Sequence, residues 1–196
     1  MLTVGILALQ GDFARHQNVI EKLGHAPLLV RTTKQLEQCD GLIIPGGEST
    51  TLINLMKKHD MWHAVKNYGH ANPVYGTCAG CILVADSVAE MQQDSLHLID
   101  ISVERNAYGR QVDSFIDDIK IQLNGVMDSA EGVFIRAPKI ISLGQKVTPL
   151  AWRKNDVVLA EQDHILVGTF HPELTEDVRV HEHFINMILK MKHKRT

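Results

Sequence analysis

The 196-residue chain has only three cysteines, an odd and small number that cannot close a disulfide framework. It has no marked excess of either charge, with 20 basic against 23 acidic residues and a formal net charge of −3. That balance argues against nucleic acid or an anionic membrane as the main partner. No basic segment precedes the first apolar run, "MLTVGILALQGD", and the run itself is far too short to cross a bilayer. A reducing, cytoplasmic setting is therefore expected. Repeats, linkers and low-complexity tracts are lacking as well, so residues 1–196 read as a single domain. The basic stretch Lys190–Arg195 is short and reads as charge complementing the end of a helix.

What is present is an alternation of apolar strands with helical patterns. "LTVGILAL" reads as a buried strand ended by Gln10-Gly11-Asp12, and a helical pattern follows from about Phe13 to Leu23, stopped by Gly24. "APLLVR" and "GLIIP" read as further strands, residues 51–68 as helix broken near Asp60, and "PVYG" as a short strand. Such alternation predicts an α/β fold with a parallel sheet. The second half differs. "IKIQL", "GVFIRAP", "PLAWRK", "DVVLAEQ" and "HILVGTF" are closely spaced strands, which predicts mixed or antiparallel pairing. An amphipathic helix from about Asp177 to Lys192 closes the pattern, and His181 and His183 are expected on its exposed face.

Chemistry concentrates at Gly76-Thr77-Cys78-Ala79-Gly80, between a strand and the apolar run "CILVA". A nucleophile flanked by glycines at a strand-to-helix turn is the pattern of a nucleophile elbow. There the helix dipole favours thiolate, and the N–H of Ala79 is open to a developing oxyanion. Two other readings stay open at this point: a buried small hydrophobe, and a Cys78-x-x-Cys81 redox or metal pair. A metal pair would need more ligands at suitable spacing. Residues two apart on a helix do not face the same way, so His181 and His183 do not supply them.

An activated thiol needs a base, and the base needs an orienting group. Phe170-His171-Pro172-Glu173 follows the last apolar strand. Pro172 biases His171 towards extended backbone, where residues i and i+2 share a face, so Glu173 is expected to reach one imidazole nitrogen. Pro45-Gly46-Gly47-Glu48-Ser49-Thr50 follows another strand, and its glycines allow amides to approach a ligand closely. Ser49 or Thr50 is a candidate cap for the next helix. Walker spacing is absent, so this is not a phosphate loop.

Together these pieces resemble the class I, triad-type glutamine amidotransferases. "LALQGD", "GLIIPGGESTT", "GTCAG", "RNAYGRQVDSF", "VFIRAP" and "FHPELTED" sharpen the likeness to the glutaminase-subunit family of pyridoxal 5′-phosphate synthases, over essentially the whole chain. The resemblance implies a three-layer α/β fold with a mostly parallel central sheet and antiparallel additions in the second half. It implies hydrolysis of L-glutamine to glutamate and ammonia by Cys78, His171 and Glu173, with oxyanion donors at the Gly47 and Ala79 backbone. Gly47, Glu48, Ser49, Arg105, Ile135 and Arg136 match glutamine-binding positions. The implied partner is a separate synthase subunit of the PdxS type in a hetero-oligomeric complex, and no metal or organic cofactor is required by the glutaminase chemistry. Two positions depart from the family pattern: Ile116, where an acid is common, and Cys81, where an aliphatic residue is usual.

Overall fold

The computed structural model describes residues 1–89, 93–107 and 114–195. The first half runs β1 (Thr3–Leu7), α1 (Phe13–Lys22), β2 (Ala26–Val30), α2 (Thr33–Leu36), β3 (Gly41–Ile44), α3 (Ser49–Lys58), α4 (Met61–Ala71), β4 (Val74–Thr77) and α5 (Ala79–Val84). The second half runs β5 (Ala85–Val88), β6 (Ile99–Glu104), β7 (Ser114–Leu123), β8 (Val126–Ile135), β9 (Lys139–Leu143), β10 (Thr148–Arg153), β11 (Asp156–Gln162) and β12 (Ile165–Gly168). A 3-10 turn (Pro172–Leu174) and α6 (Arg179–Arg195) complete it. Among the described residues no helix is long and apolar enough to cross a membrane.

Local chemistry sets the boundaries. Gly24, at φ 76°, takes the left-handed turn that releases the chain from α1. Asp60, at φ 57°, separates α3 from α4, where the sequence predicts a break. Thr32 and Gln35 form a reciprocal capping box on the one-turn α2.

Among the described residues the central sheet has nine strands, in the order β2-β1-β3-β4-β12-β11-β10-β7-β8. The strands from β2 to β12 pair in parallel, and β11, β10, β7 and β8 add on antiparallel. This is the α/β architecture expected, with the antiparallel additions in the second half. The small sheet β5-β6-β9 was not anticipated. Its strands alternate buried with half-exposed positions and are too short and polar to stand out as apolar runs.

Alternation along the parallel strands divides the interior into two cores. Leu7, Leu42, Ile44, Val74, Ile165 and Val167 point to one face of the sheet, packed with α3, α4, α5 and the small sheet. Ile6, Ile43, Tyr75 and Leu166 point to the other, packed with Ile20 of α1 and Val180, Phe184 and Ile188 of α6. Burying each such aliphatic side chain contributes about 1.5–3 kcal/mol, so both helical layers are held by apolar contact. The register also brings distant segments level. Ile44 pairs with Gly76 and Thr77 with Gly168, so the chain leaving β3, β4 and β12 emerges side by side at one end of the sheet. Open α/β sheets bind ligands at that carboxyl edge.

Candidate active site

Cys78 occupies the turn from β4 into α5 with φ 49° and ψ −103°, a conformation costly for a residue with a side chain. The flanking glycines explain why it is tolerated. A Cβ on Gly80 would lie 2.0 Å from the Ile44 carbonyl oxygen, and one on Gly76 would lie 2.6 Å from the Gly80 backbone. The turn is therefore clamped against β3 with no room for side chains on either side. Cys78 N–H donates to the Gly168 carbonyl at 2.8 Å, tying the elbow to β12 as well. The thiol is 5% exposed and lies 3.6 Å from the Ile135 carbonyl oxygen.

His171 and Gly46 converge on the same point. A methyl group placed on Gly46 would lie 2.4 Å from His171 Cε1 and 3.3 Å from Cys78 Cβ. His171 is fixed by its own N–H, which donates to the Val133 carbonyl at 2.8 Å. Its Nδ1 lies 2.7 Å from Glu173 Oε1. Glu173 reaches it from the 3-10 turn, not from the extended backbone the sequence suggested, because Pro172 starts the turn directly after His171. Burial by itself would discharge the ring, but hydrogen bonding to Cys78 and to Glu173 outweighs it and holds the His171 pKa above its ordinary value. Burial likewise opposes the Glu173 charge, yet His16 and His171 together hold its carboxyl well below the usual range.

A pocket of about 220 Å³ opens over these groups, lined by Gly47, Glu48, Ser49, Cys78, Ala79, Arg105, Ile135, Arg136 and His171. All nine positions expected from the sequence to hold substrate, oxyanion, nucleophile or base at this face thus border one space, with Glu173 directly behind His171. Gly47 has φ 151°, and a side chain there would collide with Gln10, whose Oε1 accepts from the Glu48 N–H at 3.1 Å. Glu48, not Ser49 or Thr50, caps α3, accepting from the Thr50 and Thr51 amides. Its two carboxylate oxygens take one amide each. Arg105 donates to Glu48 Oε1 at 3.2 Å and to Gln93 Oε1 at 2.8 Å, linking the end of β6 to the cap of α3. Residues 108–113 of the "RNAYGRQVDSF" segment lie outside the described residues. Ile116 is 64% exposed on β7, paired with Val133 of β8.

Cys81 and the histidines of α6 divide between expectation and correction. Cys81 is wholly buried in α5, and burial followed by the neighbouring Cys78 pushes its thiol far up, out of the reactive range. The histidines of α6 are a correction. His181 is 0% and His183 8% exposed, where the polar character of the helix suggested an outward face. His181 meets the equally buried His16 of α1 at 2.9 Å. Both follow helical spacing with apolar residues, His16 with Val19 and Ile20, His181 with Phe184, Ile185 and Ile188. That periodicity was the available signal.

Comparison with known proteins finds relatives along nearly the whole chain. Residues 6–190 match the SNO glutamine amidotransferase family. The pyridoxal 5′-phosphate synthase subunit PdxT of Thermosipho africanus is 47% identical over 190 residues, covering 96% of this chain and all of that one. The subunit of the same name from Solibacter usitatus is 47% identical over 192 residues, with 96% and 100% covered. A crystal structure of a glutamine amidotransferase superposes with a TM-score of 0.87 at 41% identity, covering 94% of this chain and 98% of that one. A putative GMP synthase protein from Thermoplasma acidophilum, at 20% identity, TM-score 0.73, and 100% and 98% coverage, shares the fold. With a cysteine elbow, a Gly-Gly loop and a His-x-Glu meeting at one edge of such a sheet, the chain belongs to the SNO glutamine amidotransferase family.

Proposed function

We propose that this chain is a single glutaminase domain that hydrolyses L-glutamine to L-glutamate and ammonia and delivers the ammonia to a separate synthase subunit making pyridoxal 5′-phosphate. The observation that carries the reading is the convergence of Cys78, His171 and the Gly46-Gly47 backbone on one point, with Glu173 Oε1 2.7 Å from His171 Nδ1. The names of the relatives supply the synthase partner and the product. A cytoplasmic setting and a hetero-oligomeric complex belong to the same proposal.

The chemistry follows from the groups present. Cys78, as thiolate, adds to the side-chain carboxamide carbon of glutamine. The oxygen takes up negative charge beside the amides of Gly47 and Ala79. Ala79 opens α5, so its N–H has no partner within the helix. Each such donor is worth about 3 kcal/mol in the transition state. His171 gives its proton to the departing nitrogen, ammonia leaves, and a thioester remains on Cys78. His171 then takes a proton from water, whose oxygen attacks the thioester. Collapse of that intermediate releases glutamate and regenerates the thiolate with protonated His171. Glu173 keeps the His171 proton on Nδ1 and stabilises the imidazolium, the role of the third triad member. Glu48 and Arg105 border the pocket where the α-amino and α-carboxylate groups of glutamine would sit, as complementary charges.

Glutamate and ammonia release should be abolished in Cys78→Ala while the far-ultraviolet spectrum and unfolding midpoint stay near those of the parent. Sustained turnover in that variant would refute the assignment of the nucleophile. Assaying the parent with and without a pyridoxal 5′-phosphate synthase subunit tests the partner. Failure of that subunit to bind or to receive nitrogen from glutamine would redirect the chain to a different synthase.

A further inference from the structure

Behind Glu173 lies a pair of imidazoles that the reaction above does not use. His16 on α1 and His181 on α6 are both fully buried. His16 Nδ1 is 2.9 Å from His181 Nε2. On its other side, His16 Nε2 is 3.5 Å from Glu173 Oε1 and 3.3 Å from Thr77 Oγ1, one residue before the nucleophile. Glu173 Oε1 is the same oxygen that meets His171 Nδ1. We infer that His181 and His16 form a directed donor chain, His181 Nε2–H to His16 Nδ1 and His16 Nε2–H to Glu173 Oε1, which makes His16 a positioning residue for the carboxylate that orients His171.

The direction follows from counting protons. Burial, the leading cause, lowers the His181 pKa to about 3, so His181 is neutral and carries one proton. If that proton is on Nε2, it fills the 2.9 Å contact, and His16 must accept through Nδ1. In a neutral His16 the one proton is then on Nε2, aimed at the carboxylate and shared with the Thr77 oxygen. The remaining cost is the lone pair on His181 Nδ1, which is buried without a partner. The opposite direction creates two faults. His181 Nδ1 would then hold an unpaired buried N–H, and the His16 Nε2 lone pair would face the carboxylate oxygen. The first leaves a buried donor with its full desolvation cost; the second sets a lone pair against a carboxylate oxygen, a repulsion that a hydrogen bond from the Thr77 hydroxyl at 3.3 Å would offset only in part. The 3.5 Å separation is long for a hydrogen bond, so His16 acts on Glu173 mainly through its N–H dipole in a dry, low-dielectric site. That dipole favours the charged carboxylate and keeps Oε1 turned towards His171.

The inference rests on the triad reading, and the ionisable surroundings of Glu173 define its test. These are His171, His16 from α1, His181 from α6 and Tyr75 from β4, with Cys78 beyond His171 and Asp177 beside His181. In the ¹⁵N-histidine-labelled chain at pH 8, long-range imidazole spectra should show His16 and His181 both as Nε2–H tautomers. An Nδ1–H tautomer or an imidazolium at His16 would overturn the direction, whatever the variants do. Kinetics are measured in the state, free or bound to the synthase, in which the parent turns over. His16→Leu should lower kcat about 10- to 100-fold with KM within about twofold, as misplacement of a catalytic group does. The loss should grow as the pH falls from 8 to 6, because a buried carboxyl without its donor takes up a proton more readily. His16→Gln places an amide nitrogen near the position of Nε2 and should recover most of the kcat. A loss equal at every pH and not recovered by glutamine would make His16 merely structural. Parent-like His16→Leu beside an impaired Glu173→Gln would defeat this inference alone, whereas a parent-like Glu173→Gln would defeat the triad reading itself.

Discussion

At the scale of single residues, the elbow inverts ordinary expectations about glycine. At a normal buried position glycine costs about 0.5–1 kcal/mol relative to alanine. Cys78 sits at φ 49° and ψ −103°, where a Cβ is a burden, so Cys78→Gly should be at least as stable as Cys78→Ala, both inactive. Urea unfolding of the two variants measures the order, and a clear advantage for alanine would argue against strain at this turn. Gly80→Ala should do the reverse. Its Cβ would meet the Ile44 backbone, which cannot step aside, and a loss of roughly 3 kcal/mol or outright misfolding is expected. Cys81→Ala, one position along, should cost only about 1–2 kcal/mol for a small cavity and keep activity. The elbow was legible in the sequence because two glycines around a cysteine have few other physical reasons to occur. The backing histidines were not, because a polar residue on a helix carries no mark of burial except the apolar spacing around it.

At the scale of elements, α6 is docked through a histidine that must stay neutral. The His181 pKa falls from 6.5 to about 3 on folding, chiefly through burial. Between those values the unfolded chain binds a proton that the folded chain refuses, so stability is present above pH 6.5 and drains away as the pH drops. The expected contribution is about 2–3 kcal/mol lost between about pH 7 and 4.5, since each tenfold change in proton affinity is worth about 1.4 kcal/mol. His181→Leu should flatten this slope in unfolding titrations at the two pH values, and an unchanged slope would place the acid sensitivity elsewhere. The junction of β6 with α3 makes a different prediction. Arg105 there ties down Glu48, and the Thr51 and Thr50 amides with Arg105 keep that carboxyl charged against partial burial. Arg105→Ala should raise KM for glutamine about tenfold and change kcat far less, the mark of binding lost equally from ground and transition states. A kcat effect larger than the KM effect would assign Arg105 to the chemical step. Helices and parallel strands were readable from period and caps, but the small sheet was not. Its strands alternate with half-exposed positions, and their pairing is set by neighbours distant in sequence.

At the scale of the whole molecule, the groups proposed to react come from four strand ends: β3, β4 and β12 are neighbours in the sheet, whereas β8, at its far edge, reaches the site where its Val133 carbonyl accepts the His171 N–H. Gly46 follows β3, Cys78 follows β4, His171 follows β12, and the Ile135 carbonyl ends β8. The Gly46-Gly47 segment is held by Gln10 from the β1–α1 connection, with Gly11 packed so closely that a Cβ there would lie 1.9 Å from the Gly46 oxygen. A synthase subunit bearing on that connection would shift the Gly47 amide directly. Turnover should therefore rise on complex formation, mainly in kcat, and equal kcat in the free and bound chains would exclude such gating. The order of strands also bears on synthesis. β12 lies between β4 and β11, yet among the described strands it is the last the ribosome delivers. Until Ile165–Gly168 emerges, β4 is an open edge of wholly buried-type residues, a template for wrong pairing. The same delay leaves the thiol of a nascent chain without its imidazole. A ribosome-stalled chain ending before β12 can hold a cysteine at its elbow, but it releases no ammonia before there is a complete protein to receive it.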